Sequence, residues 1–139
     1  MNIETYRGIV YPWSMDHMGH MNVQFYTARF DEATWHLFAH IGITFSFLKE
    51  NRRGMAALDQ RTQYKQEVMA GSLLHVTSEI LEIKRKTVRF VHRMVNSETG
   101  QEVATSELVG AFIDSELRKS TEFPPAVIEA AQRLIKRSE

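Results

Sequence analysis

The chain has 139 residues, of which 43% are hydrophobic and 24% are charged. This composition is typical of a globular protein and excludes the disordered, collagen-like and membrane-spanning classes. Its length suits one domain, which we place over residues 1–139. Lys and Arg together number 17, as do Asp and Glu, so the chain has no overall field to hold a polyanion such as nucleic acid.

Cysteine is absent from the sequence. This absence excludes disulfides, a thiolate nucleophile and Cys-based metal sites. The first residues also lack the basic and apolar regions that are typical of a secretory signal. We therefore expect the protein to act in the cytoplasm and not at a membrane.

The first part of the chain predicts a strand, a loop and a helix. Residues 3–11 alternate and are rich in β-branched and aromatic side chains, which favours a strand. Residues 11–21 follow no period and contain turn residues, which indicates a loop. Asn22 stands where a helix cap is expected, and apolar residues then recur every three or four positions until Gly42. Aromatic residues on the other faces predict a long central helix that a sheet covers.

The second part of the chain predicts successive strands and a final helix. An apolar loop is expected over 43–48 and a basic turn over 51–54. Pro124 and Pro125 suit the first turn of a C-terminal helix. Strand-like segments are found at 55–66, 72–84, 87–96 and 102–113. Together the elements predict an α+β hotdog fold, with a curled antiparallel sheet of about five strands wrapped on the long central helix, plus the C-terminal helix.

The densest cluster of reactive side chains precedes the predicted helix, where Asp16, His17, His20 and Asn22 lie close together. The first backbone N–H groups of a helix have no partners inside it and lie at the positive end of its dipole, so they can bind a developing oxyanion. A carboxylate beside them can attack a carbonyl carbon or deprotonate water. The loop therefore predicts an acyl-transfer site. The alternative is purely structural, with Asp16 and Asn22 as caps and the histidines solvated.

The same loop carries a recognisable pattern. The run Asp16-His17-Met18-Gly19-His20-Met21-Asn22-Val23, followed by Tyr26 and by Phe30-Asp31-Glu32-Ala33, resembles the signature of hotdog-fold acyl-CoA thioesterases. The 4-hydroxybenzoyl-CoA thioesterase branch is the most similar. The run Glu82-Ile83-Lys84-Arg85-Lys86-Thr87 is similar to the basic segment between two sheet strands of that family. The order of elements agrees over nearly the whole chain.

The resemblance implies a catalytic carboxylate in the loop, at a subunit interface, and by position this is Asp16. It implies that the backbone N–H at Val23 stabilises the oxyanion. His20 is then a helper, and Asn22 is the helix cap first and a site residue second. A homodimer that often doubles to a tetramer is also implied. CoA enters as part of the acyl-CoA substrate, so no separate cofactor is expected.

The basic residues between two predicted strands have two interpretations. Lysines on an exposed strand edge commonly prevent edge-to-edge aggregation. The resemblance favours the other interpretation, in which these side chains bind the phosphates of CoA. The residues with this predicted role are Lys84, Arg85 and Lys86.

Two further functions stay open on the sequence. A hotdog dehydratase or hydratase of hydroxyacyl thioesters would use a histidine near the central helix, for which His20 is the candidate. A non-catalytic module would bind acyl-CoA without releasing its thiol. His36 and His40 lie four residues apart on the predicted helix, but no Glu follows His36 and no third ligand is evident, so no metal site is predicted.

The sequence leaves the acyl group open between short, aromatic and betaine-type groups. The aromatic residues of the loop and the predicted helix are expected to be core and interface residues, and those that flank Asp16 are also candidates to line an acyl pocket: Tyr11, Trp13, Phe25, Tyr26 and Trp35. An aromatic acyl group would stack on such rings, and a quaternary ammonium would be attracted to their faces.

Overall fold

An antiparallel sheet and three helices build the part of the chain that the computed structural model describes, residues 2–136. The elements are β1 (Ile3–Ile9), α1 (Val23–Ala39), α2 (Phe45–Asn51), β2 (Arg53–Tyr64), β3 (Leu73–Ile83), β4 (Thr87–Asn96), β5 (Glu102–Asp114), β6 (Lys119–Ser120) and α3 (Pro125–Lys136). No helix in this range is long and apolar enough to cross a membrane. The single domain over 1–139 stays a prediction, and residues 1 and 137–139 lie outside the described residues.

The main sheet has the order β1-β3-β4-β5-β2, and the short β6 pairs with β5. Neighbouring strands are antiparallel throughout. The register slips within several pairs, as between Ala57 and Asp59 on β2 and between Ile80 and Glu82 on β3. Such bulges bend a strand and increase its twist. The five main strands curl into a half-barrel, which confirms the predicted class and strand number.

Helix α1 begins where the sequence predicts. The Asn22 side chain accepts a hydrogen bond from the backbone N–H of Gln24 at 3.0 Å, as a helix cap does. The buried face of α1 packs on the sheet, and the rings of Phe38 and Phe90 meet edge to face with centroids 5.3 Å apart. Gly42 follows with φ +90°, a left-handed conformation that glycine adopts readily. Helix α1 has 17 residues, so the expectation of a long central helix is not confirmed.

The prediction of an apolar loop over 43–48 is wrong, because helix α2 begins at Phe45. The Thr44 hydroxyl accepts a hydrogen bond from the N–H of Phe47 at 3.2 Å and caps this helix. The Phe47 side chain packs against the hydrophobic core, and this tertiary contact stabilises a helix that is too short to be stable alone. The basic turn is shorter than the predicted range 51–54, because β2 already begins at Arg53.

Strand β1 ends earlier than predicted. The sequence favours a strand over 3–11, but the pairing with β3 stops at Ile9. A 3-10 turn, Pro12–Ser14, follows and redirects the chain toward α1. Proline fixes its own φ and lacks the N–H that a paired strand would use, which explains the turn.

A chain of hydrogen bonds crosses the core and joins β1, β3, β4 and α1. The Thr5 hydroxyl lies 2.7 Å from the Ser78 hydroxyl, which contacts Nδ1 of His92 at 2.5 Å. Nε2 of His92 lies 2.8 Å from the Thr34 hydroxyl, and Thr34 donates to the carbonyl of Phe30 at 2.9 Å. Burial lowers the pKa of His92 to about 3. Its imidazole is therefore neutral, so one ring nitrogen donates a hydrogen bond and the other accepts one.

Candidate active site

The loop between β1 and α1 is a narrow turn held by backbone hydrogen bonds. Met15 and Met21 form an antiparallel bridge, and the N–H of Asn22 donates to the carbonyl of Ser14 at 2.9 Å. The N–H of Met21 donates to the carbonyl of Val68 at 2.7 Å, which ties the loop to the segment between β2 and β3. Asp16 comes directly after Met15 and Val23 comes two residues after Met21, so both residues lie next to this bridge.

Asp16 is held by the turn that it begins. Its Oδ1 atom accepts hydrogen bonds from the N–H groups of Met18 at 2.8 Å and His20 at 3.3 Å. Gly19 closes the turn with φ +81° and donates its N–H to the Asp16 carbonyl at 3.1 Å. Within residues 2–136, no group donates a hydrogen bond to Oδ2 of Asp16. One carboxylate oxygen is thus fixed and the other is free to react.

Several effects on the pKa of Asp16 oppose one another. Partial burial acts to raise it, but the backbone N–H groups of His20 and Met18, with the nearby His17 and His20 rings, lower it by more. The pKa therefore lies below its ordinary value of 3.8. Asp16 is ionised at neutral pH, as a nucleophile or a general base requires.

The N-terminus of α1 offers one unused backbone donor. The Asn22 side chain accepts a hydrogen bond from the N–H of Gln24. The backbone carbonyl of Asn22 accepts one from the N–H of Phe25 at 3.0 Å. Within the described range, no group accepts from the N–H of Val23, a residue that is 56% exposed. A free N–H at the positive end of a helix dipole can stabilise an oxyanion.

His20 has a partner that the sequence did not reveal. Its Nε2 atom lies 3.0 Å from Oε2 of Glu67, in the segment that follows β2. Glu67 and Asp16 are far apart in sequence, and no short motif contains both. The contact fixes the His20 ring against this segment, which fits a positioning role better than a catalytic one.

The predicted phosphate ligands lie at the other end of the sheet. Lys84, Arg85 and Lys86 form the turn between β3 and β4, whereas the start of β3 at Leu73 pairs with the end of β1. Eleven residues of strand separate Leu73 from Lys84, which amounts to roughly 35 Å at 3.3 Å per residue. One chain therefore does not bring these basic residues beside the Asp16 loop.

The basic residues at this turn are exposed. Nζ of Lys84 lies 3.7 Å from Oε1 of Glu82, and Arg85 forms an ion pair with Glu122. Lys86 forms no ion pair with any described residue. Exposed pairs such as these contribute little to stability, so both basic groups can exchange their partners for a phosphate at small cost.

The surface around the Asp16 loop is unusually apolar. Trp13 is 73% exposed and Met18 66% exposed. The rings of Tyr11 and Trp13 stack with centroids 4.5 Å apart. Asp16 lines none of three cavities found in residues 2–136. An exposed apolar patch of this kind is typical of a contact surface, which fits a site that a second subunit completes.

One cavity, of about 140 Å³, lies between α1 and the strands β2 and β5. It begins at Thr27, one turn beyond Val23 on α1. Ala56 and Ala57 on β2 and Gly110 on β5 also line it, and they leave space because alanine has only a methyl group and glycine has no side chain. The sequence does not predict this cavity, because a cavity depends on which residues face each other across the fold. Within residues 2–136 no group of three or more His, Asp or Glu side chains is arranged to hold a metal ion.

A half-barrel sheet packed on a capped helix, with an ionised carboxylate in the loop before that helix, is typical of hotdog acyl-transfer proteins. The model of the thioesterase-like superfamily matches residues 10–131. The chain belongs to this family and is a thioester hydrolase. The dehydratase and the non-catalytic module are not favoured.

Two relatives share the sequence over most of this chain. The betainyl-CoA thioesterase of Pseudomonas aeruginosa is 26% identical over 132 residues, which are 95% of this chain and 83% of that protein. The L-carnitine dehydrogenase/betainyl-CoA thioesterase of Agrobacterium fabrum is 28% identical over 86% of this chain, but the match spans only 24% of that longer protein.

Solved structures agree with the fold. A putative thioesterase from Pseudomonas putida KT2440 superposes with a TM-score of 0.85 at 26% identity, over 100% of this chain and 88% of that chain. A Staphylococcus aureus protein solved in complex with CoA superposes with a TM-score of 0.90 at 19% identity, over 98% of this chain and 86% of that one. The second likeness shows the fold alone.

Proposed function

We propose that the protein hydrolyses an acyl-CoA thioester to a free acid and CoA, with Asp16 as the reacting carboxylate and the N–H of Val23 as an oxyanion donor. The observation that carries this proposal is that the two carboxylate oxygens of Asp16 have different surroundings. Its Oδ1 atom is held by two backbone N–H groups, and its Oδ2 atom is free. Within the superfamily we assign the chain to the 4-hydroxybenzoyl-CoA thioesterase-like branch on the pattern of this loop.

The low pKa of Asp16 favours a nucleophilic role, because an efficient general base has a pKa near the working pH. In this mechanism Oδ2 attacks the thioester carbonyl and the oxyanion forms near the N–H of Val23. The C–S bond then breaks, CoA leaves as a thiolate, and the acyl group stays on Asp16 as a mixed anhydride. Water hydrolyses the anhydride, giving the free acid and restoring the carboxylate. The leaving group needs little protonation, since a thiol has a pKa of about 8.5.

The distance between the Asp16 loop and the basic turn indicates how CoA is held. We propose a homodimer, or a tetramer formed from two dimers, in which Lys84 and Arg85 of one subunit reach the nucleotide phosphates of an acyl-CoA bound at the Asp16 loop of another. Lys86 lies in the same turn and adds positive charge. The open edges of the sheet at β1 and β2 and the apolar patch around Trp13 are the surfaces for assembly.

In such an assembly, α1 is the helix that we propose each half-barrel wraps. CoA enters as substrate, and we propose no further cofactor. The cytoplasmic location also stays a prediction. Betainyl-CoA is the first substrate to test, because two relatives carry that name.

Thiol release measured with Ellman's reagent tests the proposal over a panel of short, branched, aromatic and betainyl acyl-CoAs. We expect the wild-type protein to release CoA from at least one of them, and Asp16→Asn to lose nearly all of this activity. Asn keeps an Oδ1 atom that accepts from Met18, so the loop is expected to keep its shape. Wild-type turnover by a folded Asp16→Asn protein would exclude Asp16 as the reacting group.

A further inference from the structure

The cavity beside α1 has an unusual combination of side chains. Four aromatic residues line it: Phe30, Trp35, Phe38 and Phe90. Three of them are buried, and Trp35 is 44% exposed at the surface. Trp35 meets Phe38 edge to face with ring centroids 5.8 Å apart, so packing holds its indole in place. Trp35 is therefore the aromatic side chain that a ligand can reach from solvent, and the three phenylalanines form the closed inner wall behind it.

One carboxylate stands among these aromatic residues. Asp31 lines the cavity as an exposed residue, on the same helix as Trp35 and one turn before it. Within residues 2–136 no Lys, Arg or His forms an ion pair with Asp31. None of the fourteen residues that line the cavity is basic. The cavity is thus an aromatic pocket with one uncompensated negative charge.

This combination selects for the charge of a ligand. An anionic group would be repelled by Asp31, and a neutral aliphatic group would gain no attraction from the carboxylate. A quaternary ammonium satisfies both parts of the pocket, because aromatic faces attract it and the carboxylate neutralises it. It carries no N–H, so it needs no hydrogen-bond acceptors from the apolar walls.

The position of the cavity connects it to the proposed reaction. Thr27, at its near end, lies one helical turn from Val23, about 6 Å along the axis. Side chains of a helix lean toward its N-terminus, so the Asp31 carboxylate leans toward Thr27. An acyl group whose carbonyl is near Val23 would extend into this space.

We infer that the cavity between α1 and the strands β2 and β5 binds the end of the acyl group and selects a quaternary ammonium through Asp31 and Trp35. The inference rests on the proposed thioester hydrolysis for its connection to catalysis. The cation-binding site itself does not depend on hydrolysis and can be tested alone.

Direct binding is the first test. In an Asp16→Asn, Trp13→Phe protein, Trp35 is the remaining tryptophan, and its fluorescence is titrated with tetramethylammonium chloride at constant ionic strength. We expect a saturable change that tert-butanol, a neutral compound of similar shape, does not produce. Adding Asp31→Asn is expected to weaken the binding about tenfold, and the control Glu32→Gln, an exposed acid outside the cavity, is expected to leave it unchanged. No saturable change, or equal binding after Asp31→Asn, would overturn the inference even if the enzyme hydrolyses acyl-CoA.

Substrate pairs that differ only in charge then test whether the cation belongs to the acyl group. Betainyl-CoA is compared with 3,3-dimethylbutanoyl-CoA, and 4-(trimethylammonio)butanoyl-CoA with 5,5-dimethylhexanoyl-CoA. We expect kcat/KM to favour the cationic member of at least one pair by about tenfold, and Asp31→Asn to remove that preference while thiol release from the neutral member continues. Equal kcat/KM within both pairs, despite tetramethylammonium binding, would show that the cavity takes a free cation and would overturn its assignment to the acyl group.

Discussion

Nε2 of His92 lies 2.8 Å from the hydroxyl of Thr34, inside the core and on the wall behind the aromatic cavity. The contact joins the centre of the sheet to α1, and the Thr34 hydroxyl in turn donates a hydrogen bond to the carbonyl of Phe30. Because His92 is fully buried, its protonation would place a charge where no carboxylate of the described residues compensates it. The stability of the fold is therefore coupled to the protonation of a single imidazole.

The first prediction concerns pH. The folded state holds the pKa of His92 at about 3, below the ordinary histidine value of 6.5. A histidine with a lowered folded pKa contributes stability above the unfolded pKa and loses it as the pH falls toward the folded one. We expect a loss of about 2 kcal/mol between pH 7 and pH 5 from this group, at about 1.4 kcal/mol per pH unit. Urea unfolding at several pH values measures it.

A His92→Phe variant provides the comparison. It removes the titrating group and keeps a ring of similar size between Phe30 and Phe90. We expect this variant to be less stable at pH 7, because Ser78 and Thr34 lose a partner, but to show a flatter dependence on pH. The same slope in both proteins would assign the effect to other groups.

The second prediction concerns the route of hydrolysis. If Oδ2 of Asp16 is the nucleophile, water labelled with ¹⁸O hydrolyses the mixed anhydride at one of its two carbonyl carbons. Attack on the Asp16 carbon places the label in the Asp16 carboxylate in a single turnover, and attack on the acyl carbon places it in the acid. Repeated turnover is expected to enrich the carboxylate. Mass spectrometry of the peptide that contains Asp16 measures this, and the same peptide without substrate is the control. Label found only in the acid after repeated turnover would show that water attacks the acyl carbon, which is the sole point of attack in the general-base route, and would overturn the expected attack on the Asp16 carbon.

The third prediction concerns the basic turn. We expect Arg85→Ala to raise KM for acyl-CoA about tenfold and to change kcat little, because it removes ground-state binding of a phosphate. Arg133→Ala on α3, an exposed arginine with no assigned role, is the control. An unchanged KM would count against phosphate binding.

The subunits can also be tested against each other. At low acyl-CoA concentration, where Arg85→Ala alone is expected to keep about a tenth of the wild-type rate, mixed dimers of Asp16→Asn and Arg85→Ala chains are expected to be more active than either variant. Recovery follows because one site of the mixed dimer then combines an intact Asp16 with an intact Arg85 from the other chain. No recovery after verified subunit exchange would place both residues of a working site in one chain.

The fourth prediction concerns the contact between His20 and Glu67. The Glu67 side chain is 65% exposed, so Glu67→Gln is expected to change the free energy of unfolding by less than about 1 kcal/mol. We expect Glu67→Gln and His20→Ala to lower kcat by similar factors below tenfold, and the double variant to lower it no further, because both changes release the same contact. Glu116→Gln, which removes an exposed partner of Arg52 away from the loop, is the control. A much larger loss of kcat with His20→Ala alone would give His20 a direct catalytic role.

The sequence by itself determined the features that depend on neighbouring residues. Local backbone preferences and side-chain periodicity determine the Asn22 cap, the start of α1, the proline start of α3 and all five main strands to within two residues of their observed bounds. The pattern of the Asp16 loop also identified the family, because it combines a carboxylate, a left-handed glycine and a helix cap within a few residues.

Only the tertiary structure decided the features that depend on distant residues. Helix α2 forms because Phe47 packs on the core, and Glu67 reaches His20 because the chain folds back after β2. The pairing of β1 with β3 places Lys84 far from Asp16, and residues from α1, β2 and β5 meet to leave the aromatic cavity around Asp31. Periodicity tells which face of an element is apolar, whereas the partner of that face is chosen by packing and strand register over the whole chain.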